Sequence, residues 1–295
     1  MGVLLPATVP LPHDVRDALA MRADRLLGFA SRVDWYDRVP STNDLADRAA
    51  AAGAGHGFVV AAEAQSSGRG RQGHVWFSPS GAGLYVSVVL RPTALSPGGD
   101  DHPATLSRTG RGFCPAVMAS SITLTAGVAL AEALRAATGL PVDIKWPNDL
   151  VIGPRKVCGI LAEAAAAGDR LEHVVLGFGI NVLPVAYPQD IAGRATSLET
   201  ELGRPADRAL VLAESLARLA ECLRELVERG FDGLLDRWRL LSPSSTGTQV
   251  HVLAAGEWEP AVTSGVDDDG ALLVRRGTAV QRVVAGEIGW PSPRG

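Results

Sequence analysis

The chain has 295 residues, of which 46% are hydrophobic and 20% are charged. This length allows one large domain, or a large domain with a small one, and the apolar fraction is enough for a sizeable core. The 28 basic and 32 acidic side chains leave a net charge of −4, so the basic excess that favours binding to nucleic acid is absent. Only two basic residues are lysines, Lys145 and Lys156, and their proximity indicates a site that needs a compact positive charge.

The cysteine and histidine patterns argue against disulfides and metal sites. The three cysteines are odd in number and widely spaced, without a CxxC pair, and the histidines form no HxxxH or HExxH pattern. Cys158 is expected to be a small core residue. The N-terminus lacks the features of a signal peptide, and the uncharged window 112–131 is interrupted by proline, serine and threonine. The sequence therefore predicts a cytoplasmic protein without membrane contact.

Hydrophobic periodicity predicts a mixture of helices and strands in the main part of the chain. The predicted helices are 14–27, 41–52, 120–138, 206–229 and 231–241, and the predicted strands are 58–62, 84–90, 142–146, 150–152, 156–164 and 172–182. Side-chain oxygens at Ser41–Asp44 are expected to cap the second helix, and Gly53 to end it. Residues 92–115 are rich in Pro, Gly, Asp and Ser and predict a long loop. Because regular βαβ alternation is lacking, the predicted class is α+β.

The composition changes after residue 241. The Ser/Pro/Gly/Thr-rich segment 242–248 is predicted to be a linker. Short strands are predicted beyond it at 249–253, 260–266, 271–275 and 279–284, with a hairpin turn at 267–270. This pattern indicates a small all-β module. The predicted organisation is an N-terminal extension (1–30), a main domain (31–242) and a small C-terminal domain (246–295).

The segment Gly68-Arg69-Gly70-Arg71-Gln72-Gly73 is typical of an anion-binding loop. Its glycines allow backbone amides to approach a carboxylate or phosphate, and its two arginines add positive charge. It lacks the GK[ST] of a Walker A loop, and its GxGxxG match lacks the expected strand and helix context. The alternative interpretation is an exposed hairpin loop.

Three further segments combine charged or amide side chains with glycine. Lys145-Trp146-Pro147-Asn148-Asp149 places polar groups around a proline turn, although a surface Lys–Asp pair is the simpler alternative. Lys156 precedes an apolar strand whose glycine, Gly159, indicates close approach by a ligand or another backbone; a solvated strand end is the alternative. The segment 177–182, GFGINV, exposes backbone at two glycines, or is an ordinary core strand.

Together these segments resemble the bacterial biotin protein ligases. The resemblance is carried by GRGRQGHVWFSP, KWPNDL, KVCGILAE and GFGIN in this order, by STN at 41–43 and by EAQSSGRGR. The C-terminal tail resembles the small β-barrel of that family. The resemblance covers about residues 33–290. It implies an α+β fold, a mixed β-sheet with flanking helices, followed by a small C-terminal β-barrel.

The resemblance also implies an activity with two steps. The biotin carboxylate attacks the α-phosphate of ATP and gives biotinyl-5′-AMP and pyrophosphate, with Mg²⁺ as cofactor. A lysine of a biotin carboxyl carrier protein, from an acetyl-CoA, acyl-CoA or pyruvate carboxylase, then attacks the adenylate. Both reactants of the first step are anions, so fixed positive charge lowers the barrier and no enzyme nucleophile is needed.

The site residues follow from the resemblance, position by position. The expected biotin-binding residues are Ser41, Thr42, Asn43, Gln65, Arg69, Gly70, Arg71, Lys156, Gly159 and Gly179. The expected ATP- and adenylate-binding residues are Arg71, Trp76, Lys145, Asn148, Lys156, Asn181, Thr196 and Ser197. Lys156, Arg69 and Arg71 are expected to be catalytic, and no metal-ligating set is expected.

Two alternatives remain open at the level of sequence. A lipoate ligase or acyl transferase shares the fold, although those relatives lack the combined GRGRxG and KWPND motifs. A non-catalytic biotin sensor or repressor would need a DNA-binding domain, and the approximately 30 residues before the match are too few for one. We therefore expect no DNA partner, and a monomer or weak dimer.

Overall fold

The computed structural model describes residues 6–95, 115–168, 170–254, 256–284 and 288–290. Most of the predicted loop at 92–115 lies outside these ranges. Residues 92–95 form a short 3-10 turn, and residue 115 already begins a helix. No helix in the described ranges is long and apolar enough to cross a membrane.

Helices and strands alternate irregularly along the described chain. The helices are α1 (His13–Ala20), α2 (Ala23–Leu26), α3 (Thr42–Ala51), α4 (Pro115–Thr138), α5 (Leu198–Leu202), α6 (Arg208–Arg229) and α7 (Asp232–Leu241). The strands are β1 (Val33–Tyr36), β2 (Val59–Ala62), β3 (Gly83–Leu90), β4 (Val142–Lys145), β5 (Asp149–Ile152), β6 (Arg155–Ala167), β7 (Arg170–Asn181), β8 (Thr246–Ala254), β9 (Glu257–Val266), β10 (Leu272–Arg276), β11 (Ala279–Val283) and β12 (Ile288–Gly289).

The first seven strands form one mixed sheet with the order β1-β2-β3-β7-β6-β5-β4, in which only β1 and β2 pair in parallel. Its two faces support separate hydrophobic clusters, because successive residues of a strand point to opposite faces. Val59 and Val88 belong to the large cluster that includes α4 and α6, whereas Val60 and Val89 belong to a smaller cluster with α3. The predicted α+β class with flanking helices is confirmed.

The last five strands form an antiparallel sheet, β11-β10-β9-β8-β12, where the small barrel was expected. Its predicted hairpin turn is confirmed, because Gly270 N donates to Asp267 O (2.9 Å). The turn touches the main sheet: Trp146 Nε1 donates to Gly270 O (3.1 Å), and Leu124 packs closely against the same glycine. The large cluster also includes Leu272, so the two sheets share one core. The proposed domain boundaries remain a prediction.

Two local predictions need correction. The predicted helix at 14–27 is broken between α1 and α2, because Arg22 leaves helical geometry and its guanidinium pairs with Glu214 of α6. The segment predicted as a linker is a packed turn. Residues 243–245 form a 3-10 turn, Ser242 and Ser245 are buried, and β8 begins immediately afterwards.

Ion pairs attach α2 to α6, and we expect them to make stability depend on pH. Burial by itself would raise the pKa of Glu214, but hydrogen bonds from Arg22 and Arg25 (2.8 and 2.9 Å) outweigh it and lower that pKa. A carboxylate with a lowered folded-state pKa stabilises the fold above its unfolded value, and this contribution is lost as the pH falls. Glu214→Gln is expected to destabilise the protein by about 1–3 kcal/mol at neutral pH.

Thermal unfolding between pH 7 and pH 4 measures this effect. The difference between parent and Glu214→Gln should shrink toward pH 4, because the unfolded parent then begins to take up a proton at this carboxyl while the folded parent still holds it ionised. Glu228→Gln is the matched control, because Glu228 lies exposed on the same helix and forms no ion pair within the described ranges. Equal stability of parent and Glu214→Gln at pH 7 would contradict the prediction.

Candidate active site

A cavity of about 470 Å³ opens between one end of the main sheet and the C-terminal sheet. It is lined by the start of α3, the loop at 68–76, the turn between β4 and β5, the middle of β6 and β7, and three residues of the C-terminal sheet. Thirteen of the predicted site residues line it: Ser41, Thr42, Asn43, Gln65, Arg69, Gly70, Arg71, Trp76, Lys145, Asn148, Lys156, Gly159 and Gly179. The motifs that are separate in sequence therefore meet at one place.

The start of α3 forms a polar wall of the cavity. Ser41 occupies the N-cap position, but its side chain makes no capping hydrogen bond. The expected cap is instead supplied by Gln65, whose Oε1 accepts from Thr42 N (2.8 Å) and lies 3.1 Å from Thr42 Oγ1. The Gln65 amide nitrogen donates to Ser78 Oγ (3.0 Å), which fixes the orientation of the amide. This arrangement leaves the Ser41 hydroxyl at the wall without a capping role.

Asn43 lies over the main sheet at Gly177 of β7. A Cβ at position 177 would lie 2.1 Å from Asn43 Oδ1, so only glycine permits this approach. Asn43 Nδ2 donates to Glu163 Oε2 (2.7 Å) on β6, and its Oδ1 lies 2.6 Å from Ser87 Oγ on β3. Ser87 and Glu163 were not predicted as part of the site. Only the strand order β3-β7-β6 places them beside Gly177.

Arg69 is paired with carboxylates at the mouth of the cavity. Its guanidinium forms ion pairs with Asp44 of α3 and with Glu163 of β6 (2.8 Å). Burial alone would lower the pKa of Arg69, but hydrogen bonds and charges from Glu163 and Asp44 raise it. The loop itself is a tight hairpin, in which Gly70 N donates to His74 O (2.7 Å). The loop is therefore attached to both α3 and β6 through one side chain.

Trp76 and Lys156 lie together on the backbone of β6 and β7. The Trp76 ring covers two glycines: a Cβ would lie 2.3 Å from it at Gly179 and 2.8 Å at Gly159. Lys156 Nζ lies 5.1 Å from the centroid of this ring and 2.5 Å from Asp149 Oδ1. Trp76 Nε1 is buried and has no hydrogen-bond partner within the described ranges. This part of the cavity thus combines an aromatic surface with an ammonium, and the indole N–H is buried over Gly179.

The cavity carries more positive than negative charge. Among the described lining residues Asp149 is the single carboxylate, whereas Arg71, Lys145 and Lys156 all belong to the lining. Desolvation lowers the pKa of Arg71 and of Lys145, and attraction to Asp149 opposes this effect in both. Neither forms an ion pair with a described residue. An anionic ligand would therefore relieve the repulsion between these cations.

Three predicted nucleotide-binding residues are absent from the cavity lining. Asn181 Nδ2 donates to Thr196 O (2.9 Å), and Ser197 is the N-cap of α5. Thr196 N donates to Lys156 O (2.9 Å), so this segment runs alongside the backbone of Lys156. The three residues therefore support the backbone of Lys156 and do not line the cavity. Their direct contact with a nucleotide remains a prediction.

Three lining residues come from the C-terminal sheet and were missed by sequence reasoning: Trp258, Ile288 and Trp290. Trp258 precedes a predicted strand, Ile288 lies in the two-residue strand β12 and Trp290 directly follows it, so none of the anion-binding motifs contains them. Their contribution depends on how the second sheet packs against the turn after β4.

Comparison with known proteins agrees with this geometry. Residues 35–181 match the model of the biotin/lipoate A/B protein ligase family. The chain is 32% identical over 256 residues to the bifunctional ligase/repressor BirA of Bacillus subtilis, with 86% of this chain and 72% of that protein covered. The chain belongs to the biotin/lipoate A/B protein ligase family. It is also 30% identical to the biotin–[acetyl-CoA-carboxylase] ligase of Paracoccus denitrificans, over 85% of this chain and 97% of that protein.

A solved member of the family shares the fold. The biotin protein ligase of Aquifex aeolicus, in complex with biotin and ATP, aligns with a TM-score of 0.70 at 26% identity and covers 89% of this chain and 100% of that one. The family resemblance and the fold class inferred from the sequence are thereby confirmed. The roles of individual residues are not decided by these comparisons.

Proposed function

We propose that this chain is an ATP-dependent biotin–carrier-protein ligase. The observation that carries the proposal is the cavity whose described lining holds the cations Arg71, Lys145 and Lys156 and one carboxylate, Asp149. Relatives and a solved neighbour named for biotin ligation support it. A cavity of this charge suits a reaction between two anions, biotin carboxylate and ATP.

In the first step, a carboxylate oxygen of biotin attacks the α-phosphorus of ATP, and the bond to the pyrophosphate oxygen breaks. Negative charge concentrates on the phosphate oxygens as the bonds change. Fixed cations stabilise this charge without reorganising at the moment of reaction. Lys156, which lies beside the Trp76 ring, is the group we assign to the carboxylate and α-phosphate oxygens. Lys145 and Arg71 are assigned to the remaining phosphate oxygens. Arg71, which belongs to the loop at 68–76, is also assigned to closure of that loop.

The polar wall at the start of α3 is assigned to the biotin ring. Ser41, Thr42, Asn43 and Gln65 present hydroxyl and amide groups, which match the donors and acceptors of a cyclic urea. The side chains of Thr42, Asn43 and Gln65 are already oriented by hydrogen bonds among themselves and to neighbours. This preorganisation reduces the entropy lost when biotin binds.

In the second step, the neutral amine of a carrier lysine attacks the carbonyl carbon of biotinyl-5′-AMP, and AMP leaves. The products are a biotinyl amide, AMP and a proton. We propose that the acceptor is a biotin carboxyl carrier protein of an acetyl-CoA, acyl-CoA or pyruvate carboxylase. We propose further that the enzyme acts in the cytoplasm as a monomer or weak dimer, without DNA or membrane partners.

Mg²⁺ fits this cavity as an ion carried by ATP. Within the described ranges, no group of three or more His, Cys, Asp or Glu side chains could hold a metal. Mg²⁺ commonly binds through one or two carboxylates together with substrate phosphates. Among the described lining residues Asp149 would be the carboxylate to hold it, once its ion pair with Lys156 is exchanged, and the ion would supply neutralisation of phosphate charge.

ATP–pyrophosphate exchange tests the first step, and transfer of labelled biotin to a purified carrier domain tests the second. Both should require biotin, ATP and Mg²⁺. Competition with lipoate distinguishes the related ligases: lipoate should not support exchange. Absence of both exchange and transfer with active carrier would contradict the proposal.

Arg71→Ala is expected to release the adenylate prematurely. Arg71 lies in the loop over the cavity and has no carboxylate partner within the described ranges, so its charge is available to the adenylate phosphate. Without that contact, dissociation of biotinyl-5′-AMP should accelerate about tenfold, because a charge-assisted hydrogen bond contributes roughly 1.5–3 kcal/mol. The rate is measured with radiolabelled adenylate on rapid gel filtration. Retention as long as in the parent would contradict the role of Arg71.

A further inference from the structure

The C-terminal sheet contributes an aromatic wall to the cavity. Trp290 directly follows β12, whose residues Ile288 and Gly289 pair with Val252 and His251 of β8. Ile288 and Trp290 also pack against the large hydrophobic cluster. The position of Trp290 is therefore set by both sheets, although the tryptophan lies at the end of a very short strand.

Lys145, at the end of β4, is the side chain that meets this wall. Its Nζ lies 5.2 Å from the centroid of the Trp290 ring, within the range of a cation–π interaction. Burial lowers the pKa of Lys145, and the charges of Lys156 and Arg194 act in the same direction. An aromatic face is the contact that compensates part of this desolvation.

Asp149, the carboxylate that faces Lys145 across β4 and β5, already forms an ion pair with another side chain. Lys145 and Asp149 are directly paired in the register of β4 and β5, and attraction to Asp149 supports the charged form of Lys145. The Asp149 carboxylate is nevertheless ion-paired with Lys156 (2.5 Å). Lys145 forms no ion pair with a described residue. The two lysines thus differ: Lys156 must give up an ion pair when it binds an anionic ligand, whereas the ammonium of Lys145 lies against the Trp290 ring and forms no ion pair among the described residues.

We propose that Trp290 is a positioning residue for the nucleotide-binding step. Its ring places the Lys145 ammonium at the cavity wall, where no described carboxylate forms an ion pair with it and the phosphates of ATP can reach it. The C-terminal sheet therefore takes part in nucleotide binding through Lys145. The inference rests on the proposed function, because it assigns ATP to this cavity.

The test uses the full-length protein in the ATP–pyrophosphate exchange assay, with separate KM values for ATP and for biotin. Trp290→Leu, which keeps apolar bulk and removes the aromatic face, is expected to raise the KM for ATP about tenfold, because the cation–π contact that holds the Lys145 ammonium at the cavity wall is lost. Trp290→Phe should give an intermediate value. The KM for biotin should change less than twofold. Val280→Ala, at an exposed position of the same sheet, is the control and should match the parent.

A double-mutant cycle distinguishes positioning from a structural role. Lys145→Met should raise the KM for ATP, and adding Trp290→Leu should then cause less than a twofold further change. If Trp290→Leu has its full effect in the Lys145→Met background, or raises both KM values equally, the ring only fills space and the proposal is wrong.

Two further outcomes are distinguishable. Should Trp290→Leu not fold, a fluorinated tryptophan at position 290 keeps the shape and weakens the negative face of the ring. A raised KM for ATP then supports the proposal, and an unchanged KM overturns it. A parent protein without exchange activity would overturn the proposed function itself, whereas an active parent with an unaffected Trp290→Leu variant overturns only this inference.

Discussion

Replacing Lys156 by alanine is expected to reduce adenylate formation by about 10²–10³-fold, the effect typical of removing one preorganised charge from a transition state. Lys156 Nζ lies beside the Trp76 ring and Asp149, where the reacting carboxylate and α-phosphate are proposed to meet. The change also leaves the Asp149 carboxylate in the cavity without its partner, which adds repulsion toward both anionic substrates. The loss should appear in kcat of the exchange reaction.

Arg155→Ala is the matched control for this experiment. Arg155 is the preceding residue of β6, but it pairs with Glu201 (2.7 Å) and does not line the cavity. We expect its exchange rate to stay within about threefold of the parent, because a partly exposed ion pair contributes little. Lys156→Arg should recover only part of the activity, since the planar guanidinium differs in shape from an ammonium. Near-parent exchange by Lys156→Ala would refute the assignment.

Gly179→Ala is expected to lower kcat/KM by about 10²-fold while the protein stays folded. The added Cβ would lie 2.3 Å from Trp76 Nε1, so the indole ring must move away from the strand. A displacement near 1 Å at a reacting site can reduce the rate by this factor. Because Lys156 lies over the same ring, its ammonium is expected to move as well. Exchange kinetics and the melting temperature are measured together.

Gly55→Ala controls for the change of glycine to alanine itself. No atom lies within 4 Å of a Cβ built at Gly55, and its φ lies outside the left-handed region, so this variant should keep full activity. Trp76→Phe combined with Gly179→Ala gives a second check. The smaller phenylalanine ring should relieve the clash with the added Cβ. Gly179→Ala should therefore reduce the activity of the Trp76→Phe variant much less than it reduces the activity of the parent. An active Gly179→Ala variant would show that Trp76 does not need its observed position.

Much of the site follows from local sequence. Glycines and cations concentrate in the motifs around Arg71, Lys145 and Lys156, and all of these line one cavity. The helix that begins at Thr42 was also predictable from the sequence, but the residue that caps its N-terminus was not. Gln65 supplies the oxygen because the loop after β2 passes the start of α3, and such a contact has no signature in the local pattern.

Other parts of the site could not be predicted because they depend on strand register. Ser87 pairs with Gly177 across β3 and β7, and Glu163 lies two positions along β6 from the partner of Gly177. A shift of one residue would turn these side chains to the opposite face. Their contact with Asn43 therefore exists only in the assembled sheet.

The sequence by itself determined most of the longer elements, the family and the kind of chemistry, because the anion-binding motifs are short and local and carry their residue types at set spacing. The tertiary structure decided which charged side chains contact each other. It paired Asp149 with Lys156 rather than with Lys145, and it placed Trp290 of the second sheet over Lys145. These relations depend on the register of β4, β5 and β6 and on packing between two sheets. Such contacts join residues far apart in the chain, so no spacing in the sequence specifies them.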